Sequence, residues 1–243
     1  MPPKMQECLD SWTRVMPDYE IWKWDDERIK EFDNIFIREA IEEKKWAFVS
    51  DVARVYAIAK YGGIYLDTDV YVYKSFDSLL KNKAFIGRES SMHLIDQNTV
   101  NFLTTCCFGA EKGNEFIIRC LDYYKDRHFI TSHNKSLPPE LRLDIRLNSE
   151  VFALLASEIG YNPSVLHDTE QHCGDTLVVY PSFYFDGVGV HKSSYSVHLA
   201  LGTWRDNYQR EWTYSWKDKI SWRFWAIIEK LLRVSNRTLI KLN

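Results

Sequence analysis

The stretch Phe48-Val49-Ser50-Asp51-Val52-Ala53-Arg54, continuing through Tyr61-Gly62-Gly63-Ile64-Tyr65-Leu66-Asp67-Thr68-Asp69, decides the fold. It reads as a helix bearing Asp51 and Arg54, a double-glycine stop, and a hydrophobic strand that delivers two carboxylates. Asp51 and Arg54 are three residues apart, which puts them on one helical face. Side chains alternate along a strand, so Asp67 and Asp69 point the same way. Two converging carboxylates are costly unless something positive sits between them. A divalent cation carrying a diphosphate meets that need, because Mg2+ or Mn2+ takes oxygen ligands from protein and phosphate together.

Outward from this stretch, Ser50 reads as an N-cap and residues 51–61 as a helix with Val52, Val55, Tyr56 and Ala59 on its buried face. Gly62-Gly63 ends it in left-handed backbone, which glycine adopts at little cost. The following strand is expected to run unbroken from 64 to 73. Upstream, 4–15 and 33–45 have helical patterning, and 19–24 alternates like a short strand. Downstream, strands are expected at 84–87, 102–109, 177–181 and 196–199, and helices at 115–127 and 149–159. This alternation predicts an α/β fold. No repeat or low-complexity linker interrupts it.

With 243 residues the chain suits one large domain with at most a small appendage. A net charge of -3 argues against a nucleic-acid partner. Aromatic residues make up 15%, with nine Trp, which serves either a bulky core or platforms for sugars and bases. Five cysteines, an odd number without C-x-x-C spacing, read as reduced, partly buried thiols in a reducing compartment. His167, His172 and Cys173 lack the second cysteine pair of a zinc site. The first residues lack the apolar run of a signal peptide, and no stretch reaches transmembrane length, so a cytoplasmic location is expected. The tail is different: 222–233 is amphipathic and basic, with Phe224, Ile227, Ile228, Leu231 and Leu232 on one stripe. It reads as a packed helix or as an interfacial helix on the inner face of an anionic membrane. The chain is therefore expected to divide into a main domain at 1–220 and a basic tail at 221–243.

Ser50-Asp51-x-x-Arg54 followed by Tyr61-Gly62-Gly63-Ile64-Tyr65-Leu66-Asp67-Thr68-Asp69 resembles the sugar-binding DXD region of family 32 glycosyltransferases. That group includes bacterial capsule and surface-polysaccharide enzymes and yeast initiating α-mannosyltransferases, and clostridial glucosylating toxins share the region. Gly109-Ala110-Glu111-Lys112-Gly113-Asn114, and His198 followed by Trp204, extend the likeness over most of the chain. The resemblance implies a GT-A fold: a mixed nucleotide-binding sheet with helices on both faces and an acceptor side from the C-terminal half. It implies metal-dependent, retaining transfer of a hexose or N-acetylhexosamine from a nucleotide-diphosphate sugar, with UDP-sugars favoured. The acceptor would be a glycan or lipid-linked molecule in surface-polysaccharide synthesis. By the same resemblance, Asp67 and Asp69 manage the ion (Mn2+ or Mg2+) and the ribose, with Asp69 the more direct ligand. Asp51, Arg54 and Tyr65 belong to the donor side, His198 is a third metal ligand, and Trp204 closes over the diphosphate. Elementary electrostatics supports these roles, since a departing nucleoside diphosphate concentrates negative charge that a cation and a guanidinium stabilise.

Two features depart from the family. Its members open on an Ile-Pro-Lys-Ile-Ile-His-like strand that this sequence lacks, which predicts an exposed sheet edge and weaker donor binding. Cys106-Cys107 stands where relatives carry Asn-type residues near the sugar. Two other functions compete. Asp67-Thr68-Asp69-Val70 fits the D-x-D-x-[TV] signature of aspartate-nucleophile phosphatases, but that motif opens its fold near the N-terminus. A degenerate sugar-binding partner subunit suits the aromatic wealth, but does not need Arg54, Asp67 and Asp69 together.

Overall fold

The computed structural model describes residues 2–95, 98–165, 167–186 and 191–202. Helices α1 (Pro3–Val15), α2 (Asp26–Ile29), α3 (Ile35–Glu42) and α4 (Trp46–Tyr61) come first, and α5 (Glu115–Asp122), α6 (Pro139–Arg142) and α7 (Asn148–Ser157) follow later. The strands are β1 (Gly63–Leu66), β2 (Val70–Val72), β3 (Ala84–Arg88), β4 (His93–Ile95), β5 (Asn98–Val100), β6 (Leu103–Ala110), β7 (Gln171–Cys173), β8 (Leu177–Tyr180) and β9 (Ser196–His198). Five of them form one sheet in the order β1-β6-β3-β8-β7. Only the β3–β8 pair is parallel, so the sheet is mixed, as expected for the GT-A type.

Alternation along the strands sorts side chains onto the two faces. Ala84 and Ile86 of β3, Phe108 of β6 and Leu177 and Val179 of β8 face a core closed by α4, α5 and α7. Phe85, Cys107, Val178 and Tyr180 face the other side, where Trp12 and Met16 at the end of α1 and Val70 and Val72 of β2 cover them. That second core is largely aromatic: Phe76, Phe85, Phe185 and Tyr195 stack with centroids 5.8 to 6.2 Å apart. Helices thus lie on both faces, with α1 and the β2–β9 ribbon forming the second layer.

α4 is apolar around most of its circumference and is buried accordingly, because α3 packs on its outer side while the sheet takes its inner side. Its Gly62 stop has φ +73 and ψ -168, a positive φ with extended ψ rather than a left-handed helical turn. A Cβ there would lie 2.7 Å from the Lys112 amide nitrogen, so the chain can turn into β1 only at a glycine.

Several expectations are corrected. α4 begins at Trp46, so Ser50 lies one turn inside it and bonds back to the Ala47 carbonyl instead of capping. Tyr56 is half-buried on the outer side of α4, stacked on Phe32. Residues 19–24 form no strand: Trp22 and Trp24 pack edge-on against Tyr61 and Tyr56. Alternating side chains make a strand only where a neighbouring chain can accept its backbone hydrogen bonds. The strand expected over 64–73 is two strands. β1 stays in the main sheet, a turn closes with Val70 N–H donating to the Asp67 carbonyl at 3.0 Å, and β2 leaves to pair with β9.

The opposite end of β3 is held by Arg88, which is 3% exposed. Its guanidinium donates to the carbonyls of His167 (3.1 Å) and Val165 (3.0 Å) and to Asn101, with Asp168 at 3.8 Å. All five cysteines are buried and free.

Candidate active site

The site assembles where α4, β1, β6 and β9 meet. The β3–β6 ladder pairs Ile86 with Phe108 but Gly87 with Thr104, so β6 bulges over residues 105–107. The bulge aims two main-chain carbonyls. Cys106 accepts the Asp67 N–H at 2.8 Å, and Thr105 accepts Nη1 of Arg54 at 2.8 Å.

Arg54 is the hub. It is 8% exposed, with Asp51 at 3.1 Å on one side and Asp67 at 3.3 Å on the other. It also donates to Ser50 through that residue's carbonyl and hydroxyl, both at 3.2 Å, and lies over the Tyr65 ring at 4.6 Å. Burial opposes its charge, but Asp67, Tyr65 and Asp51 outweigh that and hold its pKa above the ordinary value. The Tyr65 hydroxyl donates to Asp67 Oδ1 at 2.6 Å, and burial holds the phenol well above its usual pKa. Tyr65 thus fixes the Asp67 carboxylate. Asp51 is pushed up to about 6, by burial first, with Arg54 opposing and Asp67 reinforcing the shift.

Asp69 lies across the turn. Its main-chain carbonyl accepts the Leu199 N–H at 3.0 Å, and its Oδ2 accepts the Leu201 N–H at 2.9 Å. Its Oδ1 lies 3.2 Å from Nε2 of His198. Burial would raise the Asp69 pKa, but His198 and the Leu201 amide bring it below the ordinary value. His198 is pushed up to about 11, because Asp69 and the Cys106 thiol overcome the opposing burial.

Asp67, Asp69 and His198 offer ligand atoms within 4.8 Å of one another, and they are the single such group among the described residues. Two hard carboxylates and one imidazole, all half-buried and open to further oxygen ligands, fit Mn2+ or Mg2+ carrying a diphosphate. A cation there would displace the His198 proton.

The structure therefore brings together Asp51, Arg54, Tyr65, Asp67, Asp69 and His198. Trp204 and the 221–243 tail lie outside the described residues. Sequence reasoning missed several contributors. Thr105 acts through its carbonyl, which no side-chain pattern reveals. Glu89, just past β3, contacts His93 at 3.0 Å, and burial raises its pKa, with Asp186 adding to the rise. Asp186 accepts the Ser90 N–H at 2.9 Å, and burial raises it too, with the His198 charge opposing. Asn148, at the start of α7, donates to the Asp51 carbonyl at 3.1 Å. Nothing in the spacing of Glu89, Asn148 and Asp186 marks them as neighbours.

Residues 2–86 match the model of a glycosyltransferase sugar-binding region containing a DXD motif. The chain is also similar to inositol phosphoceramide mannosyltransferase 3 of Schizosaccharomyces pombe, 31% identical over 118 residues that cover 47% of this chain and 30% of the relative. Glucan organizing enzyme 1 of Cryptococcus neoformans is 48% identical over 48 residues, which is 20% of this chain and 13% of that protein. An uncharacterised Arabidopsis thaliana protein is 35% identical over 88 residues, 36% of this chain and 12% of its own length. The chain thus spans less than a third of the length of these curated relatives.

Proposed function

We propose, from the premise that residues 2–86 carry the sugar-binding region of the DXD glycosyltransferases, that the protein transfers a hexose or N-acetylhexosamine from a nucleotide-diphosphate sugar. The observation that carries this reading is the placement of the Asp67–Asp69–His198 group directly beside the buried Asp51–Arg54 pair. Bound there, Mn2+ or Mg2+ would supply Lewis-acid neutralisation of the diphosphate charge. Asp67, Asp69 and His198 would hold it. Arg54 stabilises the charge that grows on the β-phosphate, in a site where Thr105, Ser50 and Tyr65 already fix the guanidinium. Asp51 presents a carboxylate to the sugar hydroxyls.

The S. pombe relative is named a mannosyltransferase acting on inositol phosphoceramide, which supports a hexose donor and a lipid-linked or glycan acceptor. We retain retention of anomeric configuration, a UDP-sugar as the first donor to try, and surface-polysaccharide synthesis at the cytoplasmic face as parts of this reading. No helix among the described residues is long and apolar enough to cross a membrane. A peripheral contact through 221–243 is tested by sedimentation with anionic liposomes, with and without those residues.

The deciding experiment is donor hydrolysis and nucleotide binding across UDP- and GDP-sugars, with Mn2+ and with EDTA. Metal-dependent release of one nucleotide from one sugar is the expected result. Binding without turnover, once acceptors are supplied, would instead identify a sugar-binding subunit. Absence of both binding and turnover in folded protein removes the transferase reading.

A further inference from the structure

Asn148 opens α7 and is 2% exposed, far from Asp51 in sequence yet tied to it in space. Its Nδ2 donates to the Asp51 main-chain oxygen at 3.1 Å, a carbonyl that lies inside α4. The same amide stabilises the charged form of the Asp51 carboxylate. Its orientation is fixed chemically, because turning the amide over would set Oδ1 against the Asp51 carbonyl. The consequence is an orphan: Asn148 Oδ1 is buried with no hydrogen-bond partner among the described residues. An unsatisfied buried acceptor is destabilising. A residue needed only to fill space between α7 and α4 would avoid that cost, so the amide's donor side must be what the position requires.

The neighbouring residue reinforces the point. Ser149 is also buried and polar, and it opposes the rise that burial gives the Glu89 pKa. The first turn of α7 therefore holds two buried polar residues, of which Asn148 bonds the Asp51 main chain.

We propose that Asn148 is a positioning residue for Asp51, bonding the turn of α4 that carries it so that its carboxylate stays beside Arg54 and is presented to the hydroxyls of the donor sugar. The sugar-recognition half of this inference rests on the transferase reading; the positioning half does not. Asn148 does not touch the diphosphate side, so its loss should separate recognition of the sugar from recognition of the nucleotide.

The test uses two variants of the full chain. Asn148→Leu keeps the approximate shape and removes the donor without burying a charge. Affinities for the preferred nucleotide sugar and for its free nucleoside diphosphate are compared in Mn2+, together with kcat and KM for donor hydrolysis and with Tm. The expected result is a roughly 10- to 100-fold loss confined to the nucleotide sugar, a size typical of groups that orient a ligand-holding residue. Nucleoside-diphosphate affinity and Tm should stay near wild type. Equal losses for nucleotide sugar and nucleotide, or no loss, overturn the proposal. The second variant, Asn148→Ala, is crystallised without ligand. The Asp51 carboxylate is expected to leave its 3.1 Å contact with Arg54; a carboxylate that stays in place overturns the positioning role whatever the donor panel shows. If wild-type protein binds no nucleotide sugar, the transferase reading falls, and this crystal structure still decides the positioning role.

Discussion

Arg54 and Arg88 are both buried guanidiniums, at 8% and 3% exposure, yet their surroundings differ in kind. Arg54 sits between two carboxylates at 3.1 and 3.3 Å, and the group beyond one of them can take a metal ion. Arg88 is held mainly by neutral acceptors, the carbonyls of Val165 and His167 and the Asn101 side chain, and its one carboxylate is 3.8 Å away. Burying a charge requires compensation in either case. Around Arg54 the compensation comes from groups that a ligand can engage. Around Arg88 it comes from a loop that the arginine pins to the sheet. Burial alone therefore does not distinguish the two arginines; the identity of their partners does.

Asp69→Ala removes a carboxylate from the ion group and should take transfer to background while Tm changes little; near-normal turnover would sink the metal assignment. Arg54→Ala should lower kcat by about 10²–10³-fold, more than it lowers nucleotide affinity, because its partner charge grows in the transition state. A parallel loss in both would recast Arg54 as a binding group. Arg88→Met should leave turnover per folded molecule nearly intact while lowering unfolding free energy by about 3 kcal/mol, because buried acceptors lose their donor. Denaturant unfolding with activity measured on the folded fraction checks this, and a selective loss of turnover would put Arg88 in the chemistry.

The smallest effect concerns pH. The folded pKa of Asp51, about 6, lies above its ordinary 3.8, so the native state keeps the proton longer than the unfolded chain. Its contribution to stability is fully present below about pH 3.8 and is lost as pH rises through about 6. Asp51→Asn should therefore gain stability relative to wild type between those values, by no more than about 3 kcal/mol at 1.36 kcal/mol per unit. A Tm difference that stays flat with pH would show that Asp51 is not desolvated.

The legible parts of the sequence were those in which local pattern and tertiary placement coincide. α4 was readable because Val52, Val55 and Ala59 repeat at helical spacing, and its end because Gly62 occupies backbone that other residues avoid. Asp51 and Arg54 were paired by spacing alone, and their 3.1 Å contact agrees. Asp67 and Asp69 were seen to converge, although on a turn and not on a continuous strand. That turn depends on β2 finding β9, a partner much later in the chain. The 19–24 error has the same root, since a pattern of side chains says nothing about whether a neighbouring ladder exists. The bulge that turns Thr105 toward Arg54 depends on the register of β6 against β3, and Asn148 reaches Asp51 only through the packing of α7.

The five buried cysteines have a practical side. Burial raises Cys8 and Cys173 to about 11, Cys106 above its ordinary value, and Cys107 and Cys120 well above it, so the nucleophilic thiolate is scarce at neutral pH. The native molecule is a quiet background for thiol chemistry. A single cysteine introduced on the exposed face of α3 or α5 would take a fluorophore or spin label almost alone, and motion around the Asp69 turn could be followed without first stripping the protein of its own sulfur.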